Sequence, residues 1–165
     1  MDYHDADNPL IATGAHAAHR STVGRRLVGL LVLVGCCGVL ALATYVRPDP
    51  HGFGTHSQLG FGPCGVLIVT GYPCPTCGMT TAFAHSVRGQ LGRAFLVQPA
   101  GLVLALAVAA GALGGTWMLA SGRWPRLHLA FVTPYRMFFA LLVLLLASWG
   151  FKIVVGLATG DLPYR

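Results

Sequence analysis

The chain is poor in charge. Asp, Glu, Lys and Arg make up 10% of its 165 residues, where a soluble domain carries about a quarter. The five acidic residues are Asp2, Asp5, Asp7, Asp49 and Asp161, and none lies inside a long apolar run. That leaves no carboxylate pair for acid–base chemistry and counts against a proton-coupled transporter, which needs ionisable groups within the membrane. No Ser/His/Asp set and no Gly-rich phosphate loop is found either. The glycines have no three-residue period, which excludes collagen. Five cysteines in a chain this apolar do not make a disulfide mini-protein. Ten Arg and one Lys give a net charge of +6, yet they form no basic stripe, so no nucleic-acid partner is expected.

What the chain has in excess is apolar surface. Hydrophobic residues reach 55% and the mean hydropathy is +0.65. The length would suit one soluble domain, but this composition points to an all-α integral membrane protein with about three transmembrane helices. Leu27 to Val46 is a run of uncharged residues about 30 Å long as a helix, enough to cross the hydrocarbon core. It is longer than a signal-peptide core, so an uncleaved anchor is expected. Leu102 to Leu119 and Phe138 to Leu157 are the second and third spans. Lys152, near one end of the third, is placed to snorkel to the interface. Trp117, Trp124, Tyr135 and Tyr164 fall near span ends as an aromatic belt would. Ala107, Gly111 and Gly115 recur every four residues, a small-residue face for close helix packing within the chain or in a dimer.

The expected organisation is a disordered polar tail (1–26), a single membrane domain (27–157) and a short C-terminal tail (158–165). Counting arginines on the two sides of three spans gives six against four. That favours a cytoplasmic N-terminus and places the connection between spans one and two, residues 47–100, outside the cytoplasm. This connection opens with turn-rich sequence from Pro48 to Pro63 and continues in a short apolar run from Gly65 to Tyr72, too short to span. Met79 to Val97 reads as one interfacial helix. Met79, Phe83, Val87, Leu91, Ala94 and Phe95 form its apolar stripe, with Thr81, His85, Arg88 and Gly92 opposite. A fourth, imperfect crossing at this segment is the rival reading, and it would put Arg123, Arg126 and Arg136 outside.

The chemistry concentrates in three cysteines of this connection, Cys64, Cys74 and Cys77. Cys74-Pro75-Thr76-Cys77-Gly78 is a C-x-x-C just ahead of the expected helix, and three readings stay open. As a redox pair, one sulfur is stabilised as thiolate by its neighbour and the helix N-terminus, and the pair cycles between dithiol and disulfide. As a metal site for zinc or iron, C-P-x-C-G supplies two thiolates, Cys64 a third, and His85, His56 or His51 the fourth ligand. As a structural cluster, the cysteines organise the loop by a disulfide or as buried thiols. A lone C-x-x-C does not choose between them. Cys36 and Cys37 lie mid-span as small packing residues. His4, His16 and His19 fall in the tail and His128 in a short basic loop, and none needs a site.

Pro63-Cys64 followed by Thr70-Gly71-Tyr72-Pro73-Cys74-Pro75-Thr76-Cys77-Gly78-Met79-Thr80 resembles the uncharacterised bacterial domain-of-unknown-function family of small membrane proteins built round a C-P-x-C-G-x-T-R-A motif. The resemblance runs from about Arg47 to Leu119. It implies a small multi-pass protein of the bacterial inner membrane whose Cys64, Cys74 and Cys77 act together, and it carries no established activity. Thr81 stands where the family usually has Arg, Gln90 where an Asp follows Gly, and Gln98 where Asn precedes Pro. A polar site or ion pair built from that Arg and Asp would be missing here. The leading expectation is thus an accessory or partner-binding protein in the lipid bilayer, working with a membrane protein partner or as a homo-oligomer, with a structural cysteine cluster. A thiol–disulfide oxidoreductase and a zinc- or iron-binding protein are its alternatives.

Overall fold

The computed structural model describes residues 9–52, 54–124, 133–160 and 162, with side chains from Thr22 onward except that of Pro134. Among the described residues the protein is all-helical, with six α-helices and no strand. They are α1 (Pro9–Tyr45), α2 (Gly65–Thr70), α3 (Met79–Ser86), α4 (Leu91–Val97), α5 (Pro99–Ser121) and α6 (Pro134–Thr159), with a short 3-10 turn at Thr55–Leu59. Three of them are long and apolar enough to cross a membrane, over Thr22–Tyr45, Pro99–Ser121 and Tyr135–Thr159. Large apolar side chains point outward all along these spans, among them Leu31, Leu113 and Val154. Water would penalise such a surface, whereas a bilayer accepts it.

The boundaries differ from the hydropathy reading in understandable ways. Helix α1 is already helical from Pro9, so the segment expected as a disordered tail carries helix over most of its length. Its Ala-rich stretch favours that state. Helices α5 and α6 each begin at a proline, Pro99 and Pro134, where the missing N–H is no loss. At the other end Gly160 closes α6 in the left-handed conformation, and Leu162 turns back to donate its N–H to Gly156 and bury its side chain. Part of the expected C-terminal tail therefore packs on the helix. Tyr164, His128 and His4 lie outside the described residues, as do the side chains of His16 and His19.

The chain divides into two compact units. One is formed by Met1–Cys37 with Ala110–Leu127. In it Gly29 and Gly115 let α1 and α5 meet backbone to backbone. A Cβ on Gly115 would stand 2.9 Å from the Gly29 carbonyl oxygen, and one on Gly111 would press on Cys36 Sγ at 3.1 Å. These two members of the small-residue series therefore pack within the chain. Cys36 fills the space that Gly111 leaves, as a small hydrophobe.

The other unit, Gly38–Ala109 with His128–Arg165, holds the connection and its cysteines. The single helix expected over 79–97 is broken there. Gly89, at φ 72, ends α3 with two bonds, Gly89 N–H to Ser86 O and Gln90 N–H to His85 O, and Gln90 then starts α4. Neither piece, at eight and seven residues, can cross a bilayer. The expected faces are partly exchanged: Thr81 and His85 are buried while Leu91 and Phe95 are exposed, although Ala94 stays buried and Arg88 exposed. Polar partners explain the exchange. Thr81 and Thr55 share a hydrogen bond of 2.8 Å, and His85 Nδ1 lies 2.6 Å from Gln90 Oε1. Arg88 donates to the carbonyls of Ala43, Thr44, Val46 and Ala84, satisfying the open C-terminal end of α1.

Candidate functional site: a three-thiol loop

Two glycine turns bring the cysteines together. Cys64 caps α2, whose single turn and a half ends at Gly71 in the left-handed conformation. That reversal returns the chain past Cys64 as Pro73-Cys74-Pro75-Thr76-Cys77. Cys77 N–H then bonds to Cys74 O at 3.0 Å and Met79 N–H to Thr76 O at 3.2 Å, winding the C-x-x-C into a tight turn that feeds α3. Gly78 is required at the exit. Its φ is 85, and a Cβ would stand 2.5 Å from Lys152 Nζ and 2.6 Å from the Gly52 carbonyl oxygen.

The three sulfurs lie within 4.8 Å of one another, and all three cysteines are free. Cys74 and Cys77 Sγ are 3.4 Å apart, and the Thr76 hydroxyl is 3.3 Å from Cys74 Sγ. The thiols are not equivalent. Burial raises that of Cys74, but hydrogen bonds from the Thr76 hydroxyl, the Cys77 thiol, the Thr76 backbone and the Cys64 thiol outweigh it, and the group is lowered to about 7. Cys77 is buried, and that desolvation, with hydrogen bonds shared with Cys64 and Cys74, pushes its thiol up to about 12. One sulfur is thus half-exposed and ready to ionise, and its neighbour is buried and held as thiol.

Side chains from the spans fix the loop by its carbonyls. Trp149 Nε1 donates to Pro73 O at 2.8 Å, Gln98 Nε2 to Pro75 O at 2.9 Å, and Lys152 Nζ to Cys77 O at 3.0 Å. Alternate residues of the turn, 73, 75 and 77, are each held by a separate side chain. Ser148, on the same helix as Trp149 and Lys152, accepts the Ala100 N–H at the start of α5 and so ties the two helices beside the loop. Gln98 is fully buried, and its Oε1 has no partner among the described residues.

The candidate residues named from the sequence divide cleanly. Cys64, Cys74 and Cys77 converge, whereas His85, His51 and His56 are not part of the cluster. Lys152, expected to snorkel to the interface, is instead buried, bonded to the loop and electrostatically coupled to Cys77 and Cys74. Trp149 and Gln98 were not singled out as site residues. The one signal for Lys152 was a lone charge in an apolar helix, a feature that marks function by default. Trp149 gives no comparable sign, and Gln98 stands out only where the resembled family has Asn.

No curated protein and no solved structure matches the chain. Residues 64–112, which hold the three clustered cysteines, α2 to α4 and the first part of α5, match the family described as a protein of unknown function, DUF2752.

Proposed function

We propose that this membrane protein carries out thiol–disulfide exchange at its three-cysteine loop. The observation that supports this reading most is the inequality of two adjacent free thiols with a third in reach. An attacking thiol works best with a pKa near ambient pH, and Cys74 meets that condition. In the reaction, the Cys74 thiolate attacks one sulfur of a partner disulfide and expels the other as a thiolate, forming a mixed disulfide. Cys77 passes its proton to the thiolate the partner has just released and attacks Cys74 Sγ. The partner's second sulfur is expelled as a thiolate that takes a proton from solvent, so the partner leaves with both sulfurs reduced and a Cys74–Cys77 disulfide remains. Two electrons pass from the cysteine pair to the partner, and the reverse sequence oxidises a partner dithiol. Cys64 can attack the new disulfide in turn and move the bond. Lys152 supplies the positive charge that a thiolate needs in a poorly solvated place. An N-terminus in the cytoplasm and a loop on the outer face of a bacterial inner membrane agree with the arginine distribution and with a compartment where disulfides form. The partner is then another membrane or extracytoplasmic protein, and the accessory role becomes one of redox service.

A metal reading has one observation of its own. Three thiolates binding one zinc at about 2.3 Å would stand roughly 3.8 Å from one another, and these sulfurs lie within 4.8 Å. Zinc or iron would be held by Cys64, Cys74 and Cys77, with the fourth position left to an outside ligand. The buried ammonium of Lys152 disfavours a cation there.

Redox titration of the purified full-length protein in glutathione buffers, with metal analysis of the same sample, separates the readings. Exchange requires a reversible Cys74–Cys77 disulfide in protein free of stoichiometric metal. Bound zinc or iron lost in Cys74→Ser would establish the metal site instead. A disulfide that resists the buffer and serves only folding would return the cluster to a structural role.

A further inference from the structure

A second site lies away from the thiols, in a cavity of about 610 Å³ between the loop after α1 and the α3–α4 turn. Its polar lining is Asp49, His85, Arg88, Gln90 and Arg93. These groups differ in what they have left to offer. Arg88 is occupied by four backbone carbonyls. Arg93 is exposed and makes no hydrogen bond with a described residue. The Gln90 amide oxygen, which only accepts, faces His85 Nδ1 at 2.6 Å, so Nδ1 donates there, and in that tautomer Nε2 is left as an acceptor. Asp49 takes one N–H, from His51, on Oδ1 and keeps the rest of its carboxylate. The cavity therefore presents a cationic donor beside two acceptors, one of them anionic.

Its position in the chain adds a second constraint. The lining residues Pro48 to Pro50 follow the first span, which ends at Tyr45, and Leu96 and Val97 precede the second, which begins at Pro99. Both segments stand within a few residues of a span end, at the depth of lipid headgroups. Around Arg93 the exposed side chains of α4 are Leu91, Phe95 and Leu96, which suit acyl chains.

We infer that this cavity binds the headgroup of a membrane phospholipid that carries both a phosphate and an ammonium, of the phosphoethanolamine type. The phosphate pairs with Arg93, and the ammonium donates to Asp49 and to His85 Nε2. A quaternary choline headgroup has the same charges but no N–H to donate, and it loses the second half of the recognition. This site is independent of the thiol chemistry.

Native mass spectrometry of the full-length protein released from micelles containing equal amounts of phosphatidylethanolamine and phosphatidylcholine, with identical acyl chains, tests it. The ethanolamine lipid should be retained about tenfold over the choline lipid, the effect of one charge-assisted hydrogen bond. Arg93→Gln should lower retention of both by a similar factor, while Arg123→Gln, an exposed arginine outside the cavity, should change neither. Asp49→Asn should weaken the preference, leaving only neutral acceptors for the ammonium, and keep the choline lipid bound. Equal retention by the wild-type protein overturns the proposal even where a variant loses its fold. So does displacement of the lipid by millimolar soluble phosphoethanolamine, which would assign the cavity to a free ester.

Discussion

Lys152 Nζ donates a hydrogen bond to the carbonyl of Cys77 at 3.0 Å, across 75 residues of sequence. The bond joins the third span to the thiol loop and sets an ammonium against the buried end of the C-x-x-C. A charged group seldom stays in an apolar helix without such a use. Replacing it with Met keeps the length and removes the charge. The Cys74 thiol in Lys152→Met should ionise about one pH unit higher, since an opposite charge nearby favours the thiolate. The rate of iodoacetamide alkylation against pH reads the change directly.

The same profile in the wild-type protein should rise with a midpoint near pH 7 for Cys74, while Cys77 stays unreactive up to strongly alkaline pH. The signs carry over to stability. Cys74 ionises more readily in the fold than at its ordinary 9.0, so its contribution is fully present above that value and is lost as pH falls through about 7. Cys77 acts in the opposite sense: its contribution is present below 9.0 and is lost as pH rises through about 12. Peptide mapping after alkylation assigns each phase to its cysteine.

Gly78→Ala should damage the loop more than its single added methyl suggests. The residue would hold a left-handed φ of 85 while its Cβ met the Gly52 carbonyl oxygen and Lys152 Nζ. The conformation alone costs about 1–2 kcal/mol. Thermal unfolding in detergent should show a lower Tm, and alkylation should show Cys77 opened to reagent. Gly65→Ala, with open space at its Cβ, should leave the cluster intact.

Arg88→Met should destabilise the protein by about 2 kcal/mol or more, because four carbonyls lose a charged donor. The exposed Arg93→Gln should cost far less. Chemical or thermal unfolding of the two variants side by side, in one detergent, gives the comparison.

In the other unit, Gly115→Val should force α1 and α5 apart. Its side chain would meet the Gly29 carbonyl and the backbone of Leu33, and overpacking of this kind costs about 1–3 kcal/mol. Gly35→Val, on a face with nothing within 4 Å, is the matched control. Protease resistance in membranes, read for both variants, should fall for Gly115→Val alone.

How much of this was legible follows from the range of each interaction. The three spans are written in local hydropathy and needed no tertiary knowledge. The break in the 79–97 helix was also local, in Arg88-Gly89-Gln90 followed by Gly92, but a strong apolar stripe masked it. The stripe misled because Thr81 and His85 each find a polar partner, and those partners draw part of the polar face inward. Cys74 and Cys77 announce themselves by spacing. Cys64, ten residues upstream, joins them only through the left-handed turn at Gly71. The clamp of Trp149, Gln98 and Lys152 reaches across 23 to 76 residues. No pattern within a helix reveals which loop carbonyl a distant side chain will hold.

The central claim is that Cys74 attacks and Cys77 resolves, and trapping tests it most directly. Cys77→Ser incubated in membranes with a disulfide substrate such as oxidised glutathione should accumulate a mixed disulfide on Cys74, identified by mass spectrometry of the modified peptide, while the wild-type protein releases it and forms Cys74–Cys77. Modification of Cys64 in place of Cys74, or no stable adduct in Cys77→Ser, would contradict the account.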